Sequence, residues 1–312
     1  MGNLPETTMA GKSSSLMMSK YIHYLNYGFR TFVLRQKIPY LFGMVITDKC
    51  NLNCFYCESK NNNLYHYSYA QACATIQDAY NRGHRSLYFT GGEPMLWTDG
   101  QNGLSDLVSL ARDLGFYDIF IFTNGTQPIT ISGCEYIVTI DGPKEIHNQI
   151  RDGTFDLILD HVKKAVTPAI FASITFNKNN LMYLDEYVKE IDSYKLFRGI
   201  SFNILTHWPE IVAKYGVTGK ERIQLLDRLW KLKKVGYPIV LSLAAYFALR
   251  NNNFRRPIPQ IELGTKDRVY TCCRDIDNPT ICANCGYANC VEVSQILALK
   301  PSAMLQVLSM VR

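Results

Sequence analysis

The chain has 312 residues, 47% of them hydrophobic and 19% charged, with a net charge of +6. That balance excludes a disordered chain and leaves length for one large α/β domain with an appendage or for two smaller domains. No run of eighteen apolar residues occurs, so no transmembrane helix is expected.

Residues 1–15 are small and polar and read as a disordered leader. Residues 16–36 read as an amphipathic helix, with Met18, Ile22, Leu25, Phe29 and Phe32 at steps of three and four. Lys12, Lys20, Arg30, Arg35 and Lys37 face only Glu6 in this arm, an excess that suits a lipid or phosphate partner, or simply a solvated face. Beyond the arm no basic run with interleaved aromatics occurs, so nucleic acid is not an expected partner.

Strand-like runs then alternate with helical ones. Strands are expected at 41–47, 86–90, 119–123, 136–140, 170–176 and 200–205, and helices at 69–82, 104–114, 154–165 and 181–193. Nearly every strand ends in glycine, asparagine or aspartate: GGEP, NGT, DGP, NKNN. Such an order predicts parallel β/α units curling into a partial, six-unit, TIM-like barrel, with its loops gathered at the strands' C-terminal edge. The barrel core is assigned to 37–249, including a helix at 219–234 and a strand-like run at 238–243. The stretch 250–256, rich in Arg and Asn, reads as a boundary, and 250–312 as a small cysteine-rich C-terminal extension with a closing helix around 293–311. The helix at 16–36, with Tyr21, Tyr24 and Tyr27 among its cations, suits either a plug for the barrel's lower end or a peripheral membrane contact.

Ten cysteines fall mostly in two groups, Cys50/Cys54/Cys57 and Cys272/Cys273/Cys282/Cys285/Cys290, with Cys73 and Cys134 isolated as small buried hydrophobes. Clustering of this kind reads as metal binding in a cytoplasmic protein rather than as a disulfide framework. Structural zinc and cubane iron–sulfur sites both take four ligands. Three thiols on the loop after the first strand therefore leave a position open, as a catalytic metal requires, unless His66 closes it.

The spacing C-x3-C-x2-C, with Tyr56 just before the last cysteine, and the loop Thr90-Gly91-Gly92-Glu93-Pro94 forty residues later resemble the radical S-adenosylmethionine (radical SAM) superfamily. Two glycines allow close backbone approach to a ligand, and Glu93 offers charge to an ammonium. The resemblance implies a [4Fe–4S] cluster on Cys50, Cys54 and Cys57 and S-adenosyl-L-methionine on its open iron. Reductive cleavage would give a 5′-deoxyadenosyl radical that takes hydrogen from substrate or adds to it, the electron coming from a flavodoxin or ferredoxin. Tyr56, Gly91, Gly92, Glu93, Pro94, Asn124, Thr139 and Arg151 are the implied cofactor contacts. Asp141 as a turn cap, Arg151 at the surface and His147 as a structural residue are the bland alternatives.

Cys273, Cys282, Cys285 and Cys290 supply four thiolates for a possible auxiliary cluster, or for zinc. Their arrangement resembles the SPASM or twitch extensions of radical SAM enzymes and, more loosely, the tail of those that join adenosyl to hopanoid lipids. The substrate is then a peptide or an apolar small molecule such as a lipid. A non-catalytic iron–sulfur or electron-carrier protein on a degenerate barrel is the alternative. It predicts loss of a cluster thiol or of the GGE loop, and both are present.

Overall fold

The computed structural model describes residues 8–57, 66–206 and 208–310. Its elements run α1 (Thr8–Gly28), β1 (Leu41–Thr47), α2 (Tyr69–Asn81), β2 (Ser86–Gly91), the short hairpin β3 (Thr98–Asp99) and β4 (Asn102–Gly103), α3 (Leu104–Leu114), β5 (Asp118–Thr123) and β6 (Glu135–Thr139). Then come α4 (Lys144–Ile150), α5 (Phe155–Lys163), β7 (Ile170–Phe176), α6 (Leu184–Ser193), β8 (Gly199–Ile204), α7 (Pro209–Tyr215), α8 (Gly219–Lys234) and α9 (Leu243–Arg250). The C-terminal part adds β9 (Ile261–Gly264), β10 (Val269–Thr271), α10 (Pro279–Ala283), α11 (Ala288–Leu297) and α12 (Pro301–Met310). No helix among the described residues is long and apolar enough to cross a membrane.

Among the described residues one eight-stranded sheet runs β10-β9-β1-β2-β5-β6-β7-β8, parallel except for β10. It is the expected partial barrel: an α/β fold dominated by a parallel sheet, and not closed. Side chains alternate across each strand. Phe42, Met44 and Ile46 of β1 join Leu87, Phe89, Ile119 and Ile121 in the core beneath the helices, together with Ala72, Ile76 and Ala79 of α2. The intervening residues line the inner face, where Ile137, Phe171 and Val240 pack with Phe120 and Phe122, and Tyr88 meets Phe122 edge-on. The helices form for ordinary reasons. A capping box, Ser68 with Gln71, starts α2, and α3 buries Leu104, Leu107, Val108 and Ala111 at helical spacing.

Several boundaries differ from expectation. Residues 8–15, assigned to a disordered leader, begin α1, while 1–7 lie outside the described residues. Once tertiary contacts fix a helix, lengthening it costs little per residue. A π-helical turn, Phe29–Val33, ends it. The run 238–243 makes only a bridge from Ile239 to Ile200, because Ser242 caps α9 through Ala245 N at 3.0 Å. The single closing helix is two, broken where Leu299 takes φ +55° and Pro301 starts afresh. The boundary stretch is anchored rather than loose, since Arg256 donates to the Ala283 carbonyl at 2.9 Å.

The cysteine-rich segment is also built into the sheet. β9 pairs with β1, Leu41 opposite Ile261 through Met44 opposite Gly264. The chain then crosses to the other side of the parallel block, where Ile204 N at the end of β8 donates to Gly286 O at 2.9 Å. A Cβ at position 286 would stand 2.3 Å from Ile204 O, so this approach requires glycine. The segment therefore spans the open side of the barrel between β1 and β8.

Candidate active site

The loops after β1, β2, β5 and β6 converge at the C-terminal edge of the sheet. Cys50, Cys54 and Cys57 lie on the first, packed with Leu52, Tyr56, Ile150 and Leu205 in a small apolar cluster. Cys57 N donates to Cys54 O at 3.1 Å, and the Cys50 sulfur accepts from Leu52 N at 3.5 Å and Asn124 Nδ2 at 3.8 Å. Burial raises the Cys50 thiol and pushes Cys54 up to about 11, against the opposing pull of Arg151 on Cys54. Both thiols thus require a nearby positive charge, such as a metal, to ionise near neutrality. Among the described residues no three Cys, His, Asp or Glu side chains converge as they would around a single ion. His66 is engaged elsewhere, its Nδ1 with Thr47 Oγ1 at 3.1 Å and its Nε2 with Thr98 O at 2.9 Å.

The GGE loop packs directly on this first loop. Gly92 N donates to Thr47 O and Glu93 N to Lys49 O, both at 2.7 Å. A Cβ at Gly92 would lie 2.4 Å from Lys49 O and 2.5 Å from Asp48 O. The glycines thus permit loop-on-loop contact, a reason different from the direct approach to a ligand expected of them. Pro94 starts a one-turn 3-10 helix, and Glu93 is fully buried. Its Oε1 accepts from Thr123 Oγ1 at 2.8 Å and Met95 N at 2.9 Å, and its Oε2 from Asn124 N at 2.6 Å. Burial pushes its carboxyl up to about 7 despite those three donors. Asn124 ties the loops together, since its side chain also reaches Asn51 Oδ1 at 3.0 Å.

Arg151 and Asp141 are not at the surface. Arg151 Nε donates to Asp141 Oδ2 at 2.6 Å and its Nη2 to Tyr56 Oη at 2.6 Å, while the Tyr56 hydroxyl also donates to Asp141. Asp141 Oδ1 takes Thr175 N at 2.8 Å. Tyr56, from the cysteine loop, is thereby fastened to the loop after β6. His147 supports this group: its Nδ1 accepts from Asp141 N at 3.2 Å, and its Nε2 meets Thr154 Oγ1 at 3.1 Å. Burial first, then Arg151, lower it to about 4, so it is neutral and structural. Thr139 ends β6 opposite Ser173 of β7.

The C-terminal cysteines gather on the inner face. Cys273 lies within electrostatic range of Cys282, Cys285 and Cys290, and Tyr88 of β2 feels Cys290, Cys272 and Cys273. Cys272 takes φ +71°, a left-handed conformation unusual for a residue with a Cβ. Arg222 clamps the loop, donating to Asn284 O at 3.0 Å and Cys285 O at 2.9 Å. Sequence reading missed Arg222 and Tyr88, which lie in no motif, and Thr123, which stands beside Asn124 in the TNG stretch. It also missed Asn203, on the inner face of β8 opposite Thr175, whose buried Oδ1 has no hydrogen-bond partner among the described residues.

A family model described as the radical SAM superfamily matches residues 44–171. The chain is 29% identical over 160 residues to a probable GTP 3′,8-cyclase of Methanococcus maripaludis, covering 48% of this chain and 52% of that one. It spans about half the length of the curated relatives it matches first. The structure resembles that of native anSMEcpe with bound AdoMet, with a TM-score of 0.54, 20% identity and 75% and 74% of the two chains covered. It also resembles Streptococcus suis SuiB bound to the precursor peptide SuiA, with a TM-score of 0.59, 12% identity and coverages of 89% and 69%. At these identities the two likenesses speak for the fold.

Proposed function

The chain belongs to the radical SAM superfamily of enzymes, for which a [4Fe–4S] cluster, S-adenosylmethionine and a reductant are implied, and from that premise we propose which residues hold the cofactors and what kind of substrate they serve. Cys50, Cys54 and Cys57 hold the cluster, with His66 outside the ligand set. The donor chemistry fits, being three soft, partly or wholly buried thiols, of which Cys50 and Cys54 are held protonated by burial until a positive charge arrives, and Cys50 already takes N–H···S contacts from Leu52 and Asn124. Glu93 receives the ammonium of S-adenosylmethionine. Its Oε2 accepts one N–H, which leaves that oxygen capacity for another, and a cation there would favour the ionised carboxylate. When bound, the two cofactors together supply a carbon radical generated by one-electron reduction. The chain's own residues hold the loops in register, through Asn124 and through Arg151, Asp141 and Tyr56, and exclude water.

The observation that carries this reading is the position of Asn124. One residue touches the Cys50 sulfur with its side chain and the Glu93 carboxylate with its backbone. Anaerobic reconstitution, reduction and addition of S-adenosylmethionine should yield 5′-deoxyadenosine. Yields no higher than those of Cys54→Ala and Glu93→Ala controls would remove the proposal.

Cys273, Cys282, Cys285 and Cys290 hold a second iron–sulfur cluster beside Tyr88. The substrate carries neutral hydrogen-bonding groups, as a peptide segment does. Ser173, Thr175, Ser201 and Asn203 present hydroxyls and an amide on the inner face of β7 and β8, and the unmatched Asn203 Oδ1 favours an incoming N–H donor over a wholly apolar lipid. The likeness to a fold that binds a precursor peptide supports the same choice.

A further inference from the structure

Helix α1 and the turn after it are turned inside out. The side toward the protein makes polar contacts: Lys20 and Tyr24 bond Asp118, Tyr24 also meets Ser86, and Tyr27 donates to Ile38 O at 3.0 Å. The opposite side carries Met18, Ile22, Leu25, Phe29 and Val33, which are 62, 58, 75, 54 and 63% exposed. Steps of four, three, four and four put them on one stripe. Surface helices ordinarily turn such a stripe inward, and an exposed apolar row marks a contact surface. Arg30, Arg35 and Lys37 lie exposed at its end. No aspartate or glutamate occurs between residues 7 and 47, and the Lys20 charge is met by Asp118.

We propose that this face docks on an anionic membrane surface. An apolar stripe bordered by cations matches the acyl boundary and the head groups of such a surface together. A second copy of the chain fits less well, because the same face carries no aspartate or glutamate between residues 7 and 47 to meet these cations. The contacts to Ser86 and Asp118 fix α1 at the strands' N-terminal edge, the end of the sheet away from the Cys50 and Glu93 loops. Docking would leave those loops facing away from the bilayer, so the membrane would hold the protein without supplying its substrate.

The test is flotation with vesicles of equal parts phosphatidylglycerol and phosphatidylcholine, and with phosphatidylcholine alone. The wild type should rise with the first and not with the second. The double variant Leu25→Glu, Phe29→Glu should lower the bound fraction at least roughly tenfold, as expected when apolar anchors are replaced by charges that anionic lipid repels. A wild type that stays at the bottom with both vesicles overturns the proposal. So does a double variant that floats equally well, or a wild-type dimer that the variant dissolves while neither form floats. Should the double variant fail to fold, Leu25→Trp replaces it: a blue-shifted emission on anionic vesicles supports docking, and an unchanged spectrum refutes it.

Discussion

Arg151 Nε donates to Asp141 Oδ2 over 2.6 Å, with 9% and 0% of the two side chains exposed, so a guanidinium and a carboxylate neutralise each other out of reach of water. Removing one partner strands the other. Arg151→Met should therefore destabilise the cluster-free protein by ~3–5 kcal/mol. Tyr56→Phe, which removes one hydroxyl shared by both ions, should lose ~2 kcal/mol. Urea melts at neutral pH would measure both, and an Arg151→Met protein as stable as the wild type would mean that the pair adds nothing.

Iron analysis separates the two cysteine groups. Cys54→Ala should lose the iron of the first site and all 5′-deoxyadenosine formation. Cys290→Ala should lose only the second share of iron and retain cleavage of S-adenosylmethionine. Zinc in place of iron at the second group, measured on anaerobically purified protein, would overturn the second half of this expectation.

Glu93 makes stability depend on pH. Its folded value of about 7 stands above the ordinary 4.5, so the folded chain binds the proton more tightly. The stability this carboxyl contributes is whole below about pH 4.5 and is lost as pH rises through about 7. Glu93→Gln does not titrate, and its amide would face the Asn124 N–H. The wild type should thus lead the variant at pH 5, and the gap should narrow by roughly 3 kcal/mol by pH 8. A gap that stays constant across paired melts would contradict the raised carboxyl.

Gly92→Ala puts a methyl group against the Lys49 and Asp48 carbonyls. Backbone on both sides leaves no flexible neighbour to move, so the GGE loop must separate from the cysteine loop. Yields of 5′-deoxyadenosine should fall at least roughly tenfold, as small displacements of a reacting geometry do. Retained cleavage would show that the contact is dispensable.

Asn203→Leu should behave differently from all of these. It removes an unmatched buried oxygen, so stability should hold or rise slightly. Cleavage of S-adenosylmethionine without substrate should persist, while turnover of the true substrate falls. Equal loss of both activities would place Asn203 in cofactor binding instead.

The six parallel strands were legible because each is a short apolar run punctuated by turn residues, and the cysteine and GGE loops because their residue types are chemically unusual at fixed spacing. β9 was not legible. Ile261–Gly264 is four residues long and owes its strand geometry to β1, more than two hundred residues earlier. The union of Tyr56, Asp141 and Arg151 was equally hidden, since it joins residues 85 and 95 positions apart. The loops meet because the strands are adjacent, and adjacency is a property of topology rather than of any local pattern. The outward apolar side of α1 was present in the spacing, but periodicity names a stripe without saying which way it points.

The pairing of β1 with β9 sets an order on biosynthesis. Strand β1 acquires its second neighbour only after residue 261 has emerged from the ribosome, and until then one side of it offers free backbone donors and acceptors to any other extended segment nearby. The nascent barrel is most vulnerable to mispairing during that interval, and shortening it by circular permutation, with residues 257–312 moved ahead of β1, should raise the yield of native protein.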